Sequence, residues 1–151
     1  MQIVKNAKVL ADELKKGGLT LVTGTTQSHL IVVDLRPLGL SGNIVSEALE
    51  QAGIVVNRNS VPNDPAPPFY PSGFRLGTPA VTTRGMKERE MKKIAEFILE
   101  VVDVVRDYKL PEEKEKRNEY MKNFRLKIKK SKKLNAICQK VKVFTCKFPL
   151  K

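Results

Sequence analysis

Leu19–Leu35 reads LTLVTGTTQSHLIVVDL. Leu19 to Val22 is a short apolar run, and His29-Leu30-Ile31-Val32-Val33-Asp34-Leu35 is a β-branched run. Gly24-Thr25-Thr26-Gln27-Ser28 between them is turn chemistry. Two strand-like runs on either side of a short polar connection predict adjacent antiparallel strands. The rest of the chain is read outward from this pair.

Before it, Ile3, Ala7, Leu10 and Leu14 recur at helical spacing until Gly17-Gly18 stops them. After it, Ser41 is a candidate N-cap for a helix carrying Ile44, Ala48 and Leu49 on one face, ended by Gly53. Ile54-Val55-Val56 reads as another brief strand. Five of the nine prolines lie between Pro62 and Pro71, which predicts an extended loop. Phe74-Arg75-Leu76-Gly77 resumes a strand, and Thr78-Pro79 opens a turn or a helix. From about Met86 to Arg106, Met91, Ile94, Ala95, Ile98, Val101, Val102 and Val105 form one apolar stripe. Pro111 opens a charged helix with Glu112, Glu113 and Glu115 near its positive end. A last helix spaces Leu134, Ile137, Val141 and Phe144 three and four apart. The expected fold is α+β, a two-layer α/β arrangement: a small, mainly antiparallel sheet with helices packed on one face, plus a basic helical tail. Residues 1–106 form the small α/β body, and residues 107–151 a basic helical extension of the same domain.

Composition narrows the function. The chain has 151 residues, 41% apolar, with two cysteines and one histidine. That excludes a disulfide framework and the usual zinc sites. A Ser-His-Asp triad could use only His29, and no nucleophile-elbow motif surrounds any serine. His29 reads instead as a local hydrogen-bonding residue at a strand start, and Cys138 and Cys146 as buried packing residues. No apolar run approaches the ~20 residues of a membrane span, and the first residues do not read as a signal peptide, so a cytoplasmic location is expected.

The net charge of +12 is uneven. Residues 107–151 hold fifteen Lys and Arg against five Asp and Glu, so ten of the twelve charges belong to the tail. Arg125, Lys127, Lys129, Lys130, Lys132 and Lys133 cluster there, with Phe124, Leu126 and Ile128 interleaved. A polyanion could dock on them in a salt-dependent way. The preferred reading is a solvated helix face whose lysine stems cover apolar neighbours, and a nucleic-acid partner is not expected.

The chemically informative stretch is Asn57–Gly85, NRNSVPNDPAPPFYPSGFRLGTPAVTTRG. It is a proline-stiffened loop leading into a strand, then a Gly-Thr-Pro turn. Arg75 is the sole charge from Phe69 to Val81 and stands between Gly73 and Gly77, whose missing side chains would admit a ligand. Such an arginine suits two-pronged capture of a carboxylate or phosphate, with a structural ion pair as the competing reading.

This stretch resembles the C-terminal domain of serine hydroxymethyltransferases, which are fold type I pyridoxal-phosphate enzymes. The matching pieces are Val56-Asn57-Arg58-Asn59 with Val61-Pro62-Asn63-Asp64, then Ser72-Gly73-Phe74-Arg75-Leu76-Gly77-Thr78-Pro79-Ala80 and Thr83-Arg84-Gly85. Asn6-Ala7-Lys8 with Leu10-Ala11, His29-Leu30 with Val33-Asp34-Leu35, and Cys146-Lys147-Phe148-Pro149 follow in family order. The resemblance implies one-carbon metabolism: reversible transfer of serine's hydroxymethyl carbon to tetrahydrofolate, giving glycine and 5,10-methylenetetrahydrofolate. It implies that Arg75 holds the carboxylate of serine or glycine. By the same resemblance Asn59, Pro67, Pro68 and Phe69 contact the folate, and Arg84 is a structural support. No residue of the chain is assigned as catalytic, cofactor-binding or metal-binding.

The family's Schiff-base lysine and phosphate-clamping residues lie upstream of the region matched here, in the large domain. No lysine in this chain stands in that context. Pyridoxal phosphate is therefore expected in the full family enzyme but not on this chain alone, which is expected to need the large domain to act. A homodimer is a further expectation. Thr25 replaces a family glycine in the turn before the second strand, a change that matters if the turn needs positive φ. Two other readings stand beside this one: a non-catalytic basic module binding polyanions through residues 124–142, and a degraded gene remnant.

Overall fold

The computed structural model describes residues 1–150. Its elements run α1 (Gln2–Lys16), β1 (Thr20–Leu21), β2 (Leu30–Asp34), α2 (Gly42–Gln51), β3 (Asn57–Asn59), β4 (Gly73–Gly77), α3 (Pro79–Thr83), α4 (Glu88–Val104), α5 (Lys114–Lys130) and α6 (Lys132–Cys146). The four strands form one antiparallel sheet in the order β1-β2-β4-β3. The α+β expectation holds, and β1 and β2 pair as the opening stretch predicts.

Side chains alternate across a strand, so each strand sends one set to the helices and the other away from them. Ile31 and Val33 of β2 with Phe74 and Leu76 of β4 make the buried set. Against them lie Leu10 and Leu14 of α1, Ile44 and Leu49 of α2, and Met91, Ile98 and Val101 of α4, all buried. The core continues into the basic tail, where Met121, Phe124 and Ile128 of α5 and Leu134, Ile137 and Val141 of α6 join the same cluster. Asn6, fully buried on α1, donates to Thr82 Oγ1 at 2.8 Å and to the Met86 carbonyl at 2.9 Å. Those bonds fix α1 against the turn that follows β4.

Several boundaries differ from the sequence reading. Ile54–Val56 form no strand; the ladder begins at Asn57 and runs to Asn59. β-branched residues suit a pleated surface, but a strand exists only where a partner's backbone is in reach, and β4 offers that partner to Asn57–Asn59. The charged helix begins at Lys114, with Glu113 at its N-cap, three residues beyond Pro111. Ser41 does cap α2, accepting from Asn43 N at 3.2 Å. Cys146 is exposed and Cys138 half-buried, so the packing role expected of them fails for Cys146. It lies in the last turn of α6, past the buried stripe Leu134-Ile137-Val141. The imidazole of His29 is exposed, and its backbone carbonyl makes the local bond, accepting from Thr78 N at 3.2 Å. The left-handed position of the Leu21–Leu30 connection is Gly24, at φ 68°, so Thr25 meets no backbone restriction.

Candidate functional site

Strand register places Arg75. Its neighbours Phe74 and Leu76 are buried among the helices, so Arg75 emerges on the opposite face and is exposed. In the antiparallel ladder it lies directly across from Val32 on one side and Asn57 on the other. Residues directly opposite share a face, so Arg75, Asn57 and, two residues along β3, Asn59 project from the same side of the sheet. The sequence-predicted Arg75 and Asn59 are thus brought together. The Asn59 amide donates to the Ser60 carbonyl at 2.7 Å.

None of the ion pairs among the described residues includes Arg75. Arg75 borders two hollows. One, of about 380 Å³, is shared with His29, Leu30, Val55 and Asn57. The other, of about 830 Å³, lies between α2, β3 and α5 and is lined also by Glu47, Glu50, Arg58, Arg125 and Lys129. Within it the Arg125 guanidinium donates to both oxygens of Glu47, each at 2.8 Å, a parallel two-bond fork that ties α5 to α2. That fork is the largest reason the Arg125 pKa lies above its ordinary value, with burial opposing.

The two glycines flanking Arg75 serve the sheet first. A Cβ at Gly73 would come within 2.5 Å of the Val33 carbonyl, 2.7 Å of Val61 and 3.0 Å of the Asn59 carbonyl. At Gly77 it would meet the His29 carbonyl at 3.1 Å. The missing side chain at Gly73 therefore lets three strands approach, where the sequence reading assigned it to ligand access.

Pro67, Pro68 and Phe69 stand apart from these hollows, on the loop beyond β3. Phe69 is 70% exposed, packs edge-on against Tyr70 at 5.2 Å, and carries the Arg58 guanidinium 5.9 Å over its ring. The loop is organised by Asp64, an acceptor that the sequence reading missed. Its carboxylate accepts from Ser72 Oγ at 2.7 Å, Ser72 N at 2.9 Å, Ala66 N at 3.0 Å and Val61 N at 3.3 Å. Burial acts to raise the Asp64 pKa, but these four bonds outweigh it and hold the group below its ordinary value. The available signal was an aspartate placed to bond the backbone two residues on, at Ala66, as turn-forming aspartates do. The loop also rests on α5: Tyr70 donates to Asn118 at 3.1 Å, and Arg117 lies 5.4 Å over the Tyr70 ring.

Arg84 donates to the carbonyls of Phe148 and Thr145, at 2.6 and 2.9 Å, and so fastens the end of α6. Every described lysine is exposed. A lysine that forms an imine with a cofactor must shed its proton, which burial promotes; no described lysine has such surroundings, and the residues present do not fit as a holder for pyridoxal phosphate. Among the described residues no three His, Cys, Asp or Glu come together as metal ligands, and no helix is long and apolar enough to cross a membrane.

Compared with known protein families, residues 1–98 match the serine hydroxymethyltransferase model. The matched part contains Asn59, Pro67, Pro68, Phe69 and Arg75, whereas α5, α6 and the lysine-rich elbow between them lie beyond it. With two-thirds of its length matched, and an unpaired arginine standing on the open face of the matched sheet, the chain belongs to the serine hydroxymethyltransferase family.

Proposed function

We propose that residues 1–98 form the amino-acid-holding part of a serine hydroxymethyltransferase. Arg75 receives the carboxylate of serine or glycine, and Asn59 with Pro67, Pro68 and Phe69 receives tetrahydrofolate. The reaction is the reversible transfer of serine's hydroxymethyl carbon to tetrahydrofolate. The family is generally pyridoxal-phosphate-dependent, and that cofactor supplies the electron sink for the carbon–carbon bond change. In this reading its lysine and phosphate holders come from a large domain outside this chain, which works in solution in the cytoplasm.

The observation that supports the reading is Arg75 itself: a guanidinium with no ion-pair partner among the described residues, exposed beside two hollows, on a strand where Gly73, Phe74 and Leu76 are buried. The structural arginines of this fold are matched by a carboxylate, as Arg125 and Arg36 are, or by backbone carbonyls, as Arg84 and Arg117 are, and Arg75 makes neither contact among the described residues. The rest of the site follows from geometry. A planar guanidinium held on a strand binds a carboxylate through two parallel bonds, which fixes the amino acid's orientation as well as its position.

A separately expressed family large domain, loaded with cofactor and mixed with this chain, tests the assignment. Restored serine cleavage is expected, with Arg75→Ala losing roughly a hundredfold or more in kcat/KM for serine, as for loss of one charged hydrogen-bonded pair. Arg75→Ala that keeps the wild-type rate in a reconstituted pair would falsify the role given to Arg75.

A further inference from the structure

Three cations border the larger hollow without an acidic partner. Arg58, Arg75 and Lys129 all line it, and no ion pair among the described residues includes any of them. The fourth cation, Arg125, is matched by Glu47, which leaves Glu50 as the remaining carboxylate. The hollow is therefore electropositive at physiological pH. Its positive wall is built, not incidental: Ile128 is buried beneath α5, and the Glu47–Arg125 fork fixes that helix against α2. Lys129 lies four residues after Arg125, hence on the same side of the helix. The Arg58 guanidinium lies 5.9 Å from the centre of the Phe69 ring.

The three cations come from β3, β4 and α5, with Arg58 and Arg75 on either side of the sheet edge at β3, and the hollow that they line together with α2 is about 830 Å³. That is the size of a small-molecule site and far larger than one inorganic anion. A single carboxylate or phosphate could satisfy one of these groups but not span the hollow. We propose that the hollow is a second anion site adjoining Arg75 and that it takes a dicarboxylate on a flexible chain. Arg75 holds one acid group, Arg58 and Lys129 the other. The proposal rests on the reading of Arg75 as a carboxylate holder for the first group; the second group is assigned by the cations of β3 and α5. The helix that supplies Lys129 lies outside the family match, whereas Arg58 and Arg75 lie inside it.

The test is titration of the full chain at low ionic strength with acetate, succinate, glutarate and adipate, followed by amide chemical shifts. One chain length is expected to bind about tenfold or more tightly than acetate. Lys129→Met and Arg58→Met should each remove most of that advantage, and Lys129→Arg should keep it. Lys8→Met, on the distant α1, takes away the same charge and should have no effect. Arg75→Met should weaken acetate itself. Acetate binding indifferent to Arg75 sinks the reading of Arg75. If acetate depends on Arg75, the second site is overturned by dicarboxylates no tighter than acetate. Lys8→Met costing as much as Lys129→Met would overturn it equally, since general charge attraction would then be the cause.

Discussion

At the scale of single residues, Asp64 shows how a loop with no ladder is held in one shape. Five prolines limit the conformations open to residues 62–71, but proline donates no hydrogen bond and cannot by itself fix the loop to the sheet. The Asp64 carboxylate does so by accepting four bonds, two of them from Ser72, the residue before β4. Because the folded pKa is depressed, this contribution is fully present above the unfolded value of about 4 and is lost as pH falls through the folded value. Asp64→Asn places an amide donor against N–H donors and should cost about 2 kcal/mol at pH 7. Urea unfolding of both proteins at pH 7 and pH 2.5 should show the gap narrowing in acid. An equal gap at both values would mean that ionisation of Asp64 is not what holds the loop. Arg75 was legible because a lone charge in an apolar, glycine-flanked run is conspicuous. Asp64 was not, because an aspartate among prolines and asparagines looks like ordinary turn composition.

Among the elements, α5 has the weakest sequence signal and the most consequential position. Eight of its seventeen residues are Lys or Arg, and only Met121, Phe124 and Ile128 are buried. Those three carry its packing, with Phe124 meeting Tyr108 edge-on at 5.1 Å. The surface fork from Arg125 to Glu47 is half-exposed and adds little stability. Phe124→Ala should therefore cost about 3–4 kcal/mol, while Glu47→Gln should cost at most about 1 kcal/mol. Denaturant midpoints for the two variants check that order, and the reverse order would show that charge, not burial, docks α5. The sequence made the long helices and the β1-β2 pairing readable through local spacing. It hid the contacts that shape the larger hollow, since Glu47 and Arg125 are 78 positions apart. The Ile54–Val56 misreading has the same origin: Asn57–Asn59 have poor strand propensity, and only the backbone of β4 makes them a strand.

For the whole molecule, the sheet has one face sealed by helices and one face without them, and the charge is as lopsided as the packing. The open face presents Arg75 with Asn57 and Leu30, which is where the proposed large domain would meet it. Residues 120–150 include no Asp or Glu, so the positive charges of α5 and α6 repel one another with few local acids to offset them. Two electrostatic effects then compete. Seven ion pairs among the described residues favour the fold, but they are mostly exposed and four of them join residues one helical turn apart, so each contributes little. Self-repulsion of a +12 chain opposes the fold and acts over tens of ångströms at low salt, a range that shrinks to about 8 Å near physiological ionic strength. The repulsion should win, so salt should stabilise. Between 10 and 300 mM sodium chloride the melting temperature is expected to rise by roughly 3 °C, equivalent to about 1 kcal/mol for a chain of this size. A melting temperature that falls over the same range would reverse the ranking and make the surface pairs, led by Glu47–Arg125, the larger electrostatic contribution.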